Sequence, residues 1–307
     1  MRNAFAEEMT KLASEDERVV LLSGDIGNKL FDNFKNVDER RFYNCGVAEA
    51  NMMGVAAGLA LSGLRPVVYT ITPFTTTRCF EQIRVDACYH NAPVIIVGTG
   101  SGLSYAELGP THHSLEDMAI LRTLPGMRVL APCDAAEMRA LLRAALAEDG
   151  PVYIRIGKKG EPTIHAAPPE VAIGRAHVLR PGKRVALLCA GTMMAEVLQA
   201  ADILKEAGVD AEVTSFHSVK PLDRAYLAQA AAEFELIVTV EEHGLIGGFT
   251  SAVAEWRAAE GISTPQLGFG TPDEFMHEVG SQRYARDKFG LHAANIAAKV
   301  RQALAKL

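Results

Sequence analysis

The absences in this 307-residue chain narrow its function before any motif is read. Lys and Arg number 31 against 37 Asp and Glu, a net charge of −6, and no basic block is long enough to follow a nucleic-acid backbone. No apolar run approaches the roughly 20 residues that cross a bilayer. The opening Met1-Arg-Asn-Ala-Phe-Ala-Glu-Glu puts an acidic pair where a signal peptide needs apolar residues. The five cysteines (Cys45, Cys79, Cys88, Cys133 and Cys189) are odd in number and lack CxxC spacing. They read as reduced thiols of a cytoplasmic protein, not as disulfides or zinc ligands. A dinucleotide loop is missing too. Gly98-Thr-Gly100-Ser-Gly102 follows a strand-like run, but position 103 is Leu and no helix opens behind it to receive a pyrophosphate. Internal repeats and low-complexity segments are absent.

What is present is an alternation of apolar runs and helical patterns. Arg18–Ser23, Pro66–Thr70, Pro93–Gly98, Arg128–Ala131 and Val152–Ile156 read as strands, with an amphipathic helix at about 2–14 and another over Cys79–Tyr89. Continuous β-branched runs separated by helices indicate parallel strands covered on both faces. Residues 157–182 change character: Pro162, Pro168-Pro169 and Pro181-Gly182 break both periods and read as a linker. A second alternating unit follows, with strands at Arg184–Cys189, Ala211–Ser215 and Leu236–Val240. Its helices fall at about 193–207, 223–232, 247–260 and 291–305. The fold class is therefore α/β, as two doubly wound domains with mostly parallel sheets flanked by helices.

Tyr43–Gly63 holds a single acid, Glu49, among small, apolar or neutral residues. Gly46, Ala50, Gly54, Ala57 and Gly58 recur near helical spacing and admit a close backbone. A carboxyl in such company loses solvation and resists ionising, which suits a group that shares a proton near neutral pH. The residue types alone leave open an exposed position on an ordinary core helix.

The order of several short strings resolves more. Ser23-Gly-Asp25, Asn44-Cys-Gly-Val-Ala-Glu49, Gly58-Leu-Ala-Leu-Ser-Gly63, Arg78-Cys-Phe-Glu-Gln-Ile-Arg84, Gly109-Pro-Thr-His-His-Ser114, Pro132-Cys-Asp134, Ser218-Val-Lys-Pro-Leu-Asp223 and Glu241-Glu-His-Gly244 follow one another along nearly the whole chain. In this order they resemble the second half of a transketolase. The resemblance implies a pyrimidine-binding domain over 1–160, a linker over 161–182 and a transketolase C-terminal domain over 183–307. It implies thiamine diphosphate as cofactor, with the hard chemistry belonging to that group. Glu49 takes the place of the glutamate that exchanges a proton with the aminopyrimidine. Phe74 takes the place of an aromatic beside that ring, and Ile71 falls near a second aromatic position, where it offers apolar contact only. Asp25 matches an aspartate near the cofactor and the subunit interface, although a turn or helix cap explains it equally. His112, after Pro110-Thr111, takes the place of a histidine that handles substrate protons. Arg2 resembles an arginine that grips substrate phosphate, and Lys158 stands near another phosphate-binding position. His113 points elsewhere. The adjacent pair, with no carboxylate or cysteine at ligand spacing, is not read as a metal site. His243 reads as a structural or subunit-contact histidine.

This sequence also departs from the family. An aspartate that recognises a sugar hydroxyl is Leu108 here, and a histidine expected upstream falls at Gly100. Such losses remove hydrogen bonds that discriminate polyols, so the acceptor is expected to differ from an ordinary pentose phosphate. The Gly-Asp-Gly with a following Asn that holds diphosphate and Mg²⁺ has no counterpart: Gly24-Asp-Ile and Glu148-Asp-Gly150 lack the context. The resemblance therefore implies a separate N-terminal (alpha) subunit that binds diphosphate and Mg²⁺, in an α2β2 heterotetramer. The reading is a subunit of a two-component transketolase that moves a two-carbon ketol unit from a ketose to an aldehyde. A 2-oxo-acid dehydrogenase E1 beta-like subunit, a deoxyxylulose-phosphate-synthase-like carboligase and a non-catalytic partner-binding homologue stay open beside it.

Overall fold

A computed structural model of the protein describes residues 1–27 and 29–307. Its strands are β1 (Val19–Ser23), β2 (Phe42–Asn44), β3 (Arg65–Ile71), β4 (Ile95–Thr99), β5 (Arg128–Leu130), β6 (Val152–Ile156), β7 (His177–Arg180), β8 (Val185–Ala190), β9 (Ala211–Ser215), β10 (Ser218–Lys220), β11 (Leu236–Gly244) and β12 (Gln266–Thr271). They form a seven-stranded sheet in the order β10-β5-β6-β4-β3-β1-β2 and a five-stranded sheet in the order β12-β11-β8-β9-β7. All neighbours are parallel except β10 with β5 and β7 with β9. Every residue of β1, β4, β6 and β8 is buried, as continuous apolar runs require when helices cover both faces. The helix Arg2–Glu15 covers one face; its Phe5 stacks on Tyr69 with ring centroids 5.1 Å apart.

The stretch expected as a linker is not structureless. His177–Arg180 pairs antiparallel with β9 and forms the edge of the second sheet. The strand is short, half-exposed and hemmed by Pro181, so neither period shows in the sequence. A second strand crosses the expected division. Ser218–Lys220 lies in the C-terminal half but pairs with β5, Ser218 opposite Leu130. The two sheets are thereby stitched together.

A buried ionic cluster joins them. Arg155, at the end of β6, donates from Nε and Nη2 to the Asp117 carboxylate at 2.9 and 3.1 Å, and Tyr153 adds its hydroxyl at 2.5 Å. Burial pushes the Asp117 carboxyl up, but Arg155 and His243 outweigh it and hold the group below its usual range. Across the junction, successive residues of β11 reach three different elements. Glu241 accepts from the amides of Phe249 and Thr250 at the start of the helix Phe249–Glu260, both at 2.7 Å. Glu242 accepts from the Leu103 amide at 2.7 Å and pairs with Arg286. His243 is fully buried, and its Nε2 lies 3.9 Å from Asp117. Glu242 therefore anchors the loop after β4 to the second sheet. Replacing Asp117 by Ala strands the Arg155 charge in the interior and should cost about 3–5 kcal/mol in denaturant unfolding. A loss under about 1 kcal/mol would show that this junction contributes little.

Candidate active site

All but Arg2 of the residues singled out from sequence lie at the C-terminal ends of five parallel strands: Asp25 after β1, Glu49 after β2, Ile71 as the last residue of β3 with Phe74 just beyond it, His112 after β4 and Lys158 after β6. That edge of an open parallel sheet is where ligands enter.

Glu49 is delivered by a tight loop. Gly46 takes φ +65°, which favours glycine, and its amide donates to Asn44 Oδ1 at 2.9 Å. Asn44 Nδ2 in turn donates to Asp25 Oδ1 at 3.2 Å, so Asp25 braces the loop from an exposed position. Glu49 then opens the helix Glu49–Leu61, where a carboxylate meets the positive end of the helix dipole. Its side chain is only 4% exposed. This burial is what the run of small, apolar neighbours implied. Arg78 Nη1 donates to both Glu49 oxygens at 2.9 Å, so the buried carboxylate has a partner.

The same guanidinium lies over the Phe74 ring, 4.0 Å from its centroid. Phe74 sits on the one-turn helix Thr72–Thr75, which Thr72 pins to β4 by donating to the Thr99 carbonyl at 3.1 Å. His112 meets the Phe74 ring edge-on at 5.3 Å, and Thr111 Oγ1 lies 2.9 Å from its Nδ1. His112 is half-buried, whereas His113 is buried with Nε2 unpartnered among the described residues, and burial pushes its imidazole pKa down.

Tyr105 continues the line. Its ring lies 6.0 Å from that of His112, and Lys158 Nζ lies over it, 4.4 Å from the ring centroid. Gly100 explains the placement: at φ +73°, a Cβ there would sit 1.9 Å from the Tyr105 ring. The space of the expected histidine is thus filled by an aromatic from the same loop. Lys158 pairs with Glu107 and borders a pocket of about 450 Å³ lined also by Ser104, Lys159, Ser281 and Gln282. Leu108 is 50% exposed on this loop. Ile71 is buried at the end of β3, and Arg2 opens the first helix half-buried, its Nε without a partner among the described residues.

Glu49, Phe74, His112 and Lys158 thus lie on one continuous track, linked by Arg78 and Tyr105, which sequence reading did not single out. For Arg78 the available signal was its place four residues after Phe74. For Tyr105 it was a glycine where a side chain was expected. The planar guanidinium held between the Glu49 carboxylate and the Phe74 face shows that this slot accepts a flat hydrogen-bonding group, which fits an aminopyrimidine.

Comparison with known proteins gives the family of both halves of the chain. Residues 1–161 match the pyrimidine-binding domain of transketolase, and residues 174–296 match the transketolase C-terminal domain. The 6-deoxy-6-sulfo-D-fructose transketolase subunit of Clostridium sp. (strain MSTE9) is 38% identical over 96% of this chain and 92% of its own. One subunit of the apulose-4-phosphate transketolase of Phocaeicola vulgatus is 35% identical, covering 94% of each chain. A solved split-gene transketolase, described as an inactive β4 tetramer, superposes with a TM-score of 0.90 at 37% identity, over 99% of this chain and 97% of that one. The fold and these relatives define a subunit of a thiamine-dependent transferase. The chain belongs to the transketolase family and matches its split-gene members over nearly their full length.

The Tyr105 contact gives a direct test. Gly100→Ala combines a disfavoured φ with a clash against the ring and should destabilise the protein by about 1–3 kcal/mol in urea titration. A neutral substitution would remove Gly100 as the reason for the ring's position.

Proposed function

We propose that this chain supplies the pyrimidine side of a thiamine-diphosphate site and, with a second chain, transfers a two-carbon ketol unit from a ketose to an aldehyde. The observation that carries this reading is the track from Glu49 through Phe74 and His112 to Lys158. When bound, thiamine diphosphate supplies the nucleophilic carbon that breaks and re-forms the ketol carbon–carbon bond. Glu49, buried at the head of the track, shares a proton with the pyrimidine ring. Phe74 presents its face to that ring, Ile71 closes the wall behind it, and Asp25 holds the loop that positions Glu49. His112 lies further along, where its imidazole moves protons at the substrate's oxygens. Arg2 and Lys158 mark the end that receives an anionic tail. The two relatives named above are named for sugars that carry a sulfonate or a phosphate, in keeping with such a tail. Exposed, apolar Leu108 and ring-filled Gly100 withhold hydrogen bonds from sugar hydroxyls, which favours an acceptor other than an ordinary pentose phosphate.

The partner in this reading is an N-terminal (alpha) subunit that binds the diphosphate and Mg²⁺, in an α2β2 heterotetramer in the cytoplasm. Support comes from the two relatives above, each named as a subunit, and from exposed Tyr43, Val47 and Val55 around Glu49, an apolar surface suited to another chain. No helix among the described residues is long and apolar enough to cross a membrane. The domain division at 1–160 and 183–307 belongs to the same reading.

Glu49→Gln keeps the shape and removes the carboxyl group that takes up and releases a proton. In the reconstituted pair it should lower ketol-transfer kcat by about a hundredfold or more. Unchanged turnover would refute the assignment. Pyruvate decarboxylation without ketol transfer would move the chain to the 2-oxo-acid or deoxyxylulose-phosphate branch. Efficient turnover of pentose phosphates would refute the changed acceptor.

A further inference from the structure

The contacts of Arg78 place one planar cation against both walls of the proposed pyrimidine slot. Its Nη1 donates to both oxygens of buried Glu49 at 2.9 Å, while its Cζ lies 4.0 Å over the Phe74 ring. An aminopyrimidine bound by the same walls would need the same two things, a hydrogen bond to that carboxylate and a stack against that face. One slot cannot hold both groups. We infer that Arg78 is a place-holder: it fills the pyrimidine slot in the free chain and leaves it when the cofactor enters. This rests on the cofactor reading above and adds a residue to which that reading assigns no task.

The geometry suits a replaceable occupant. The favoured arginine–carboxylate contact is a fork in which two nitrogens meet two oxygens; here a single nitrogen straddles both, the weaker arrangement. The carboxylate is 4% exposed but the Arg78 side chain is 42% exposed, so the cation has water to return to while the carboxylate does not. The backbone around Arg78 is also irregular. It lies in the short 3-10 turn Thr77–Cys79, between the one-turn helix Thr72–Thr75 and a segment that is α-helical over Phe80–Gln82 and π-helical over Ile83–Tyr89. The benefit to the free chain is physical. Without a partner, a carboxylate this deeply buried is costly, and Arg78 offsets the cost until a ligand replaces it.

The test compares wild type with Arg78→Met, which keeps an apolar stem and removes the guanidinium. Calorimetry with thiamine diphosphate and Mg²⁺, each chain paired with its partner subunit, should show roughly tenfold tighter binding by the variant, because no ion pair or ring contact has to be broken. The free variant chain should melt at a lower temperature than wild type. Stability and affinity moving in opposite directions is a signature that a merely structural arginine would not give. Equal or weaker binding by Arg78→Met overturns the place-holder and leaves the cofactor reading intact. Absence of binding by the wild-type pair overturns the cofactor reading and this inference with it. A second readout needs no variant: guanidinium proton exchange at Arg78, followed by ¹⁵N NMR, should be slow in the free chain and fast once cofactor is bound with the partner. Continued protection in the loaded pair overturns the inference even if Arg78→Met does not fold.

Discussion

A carboxylate held at 4% exposure must have a partner, and the site of this protein is arranged around how Glu49 finds one. The loop Asn44–Ala48 carries the residue to the head of a helix, and the helix dipole and Arg78 share its charge. Arg78 in turn is steadied by Phe74, Phe74 meets His112, and His112 meets Tyr105. Each contact is small alone. Their order turns one buried charge into a path from the interior to a pocket at the surface.

That path runs along loops, and loops are positioned by what they touch. The loop after β4 is pinned by Glu242 through the Leu103 amide. Glu242 sits between Glu241, which caps a helix, and His243, buried beside Asp117. The second sheet therefore shapes the site without lining the Glu49 end of it. The antiparallel β10 strand and Arg155, whose Nη2 donates to the Glu242 carbonyl of β11 at 3.3 Å, make the two sheets one support. A substitution in this junction is expected to reach His112 through the loop and not through the slot.

Much of this was legible in the sequence, for identifiable reasons. The buried parallel strands announced themselves because a strand covered on both faces is an unbroken apolar run. Glu49 stood out because a lone acid among small residues is unusual, and Phe74, His112 and Lys158 took their places from the family resemblance that the short strings carry. The rest was hidden by the same logic. β7 and β10 are short and partly exposed, and Pro181 and Pro221 blur their periods. Gly100 read as a missing polar contact, because no local pattern reveals that a ring five residues later occupies its space. Arg78 read as part of a helical string, because only the three-dimensional fold sets it between Glu49 and Phe74.

The central claim is that this chain carries half of a cofactor site. The most direct measurement is calorimetric titration of thiamine diphosphate with Mg²⁺ into this chain, into a diphosphate-binding transketolase subunit, and into the two together. Tight binding by the pair and not by either chain alone is the predicted result. Tight binding by this chain alone, or by no combination, would contradict the account.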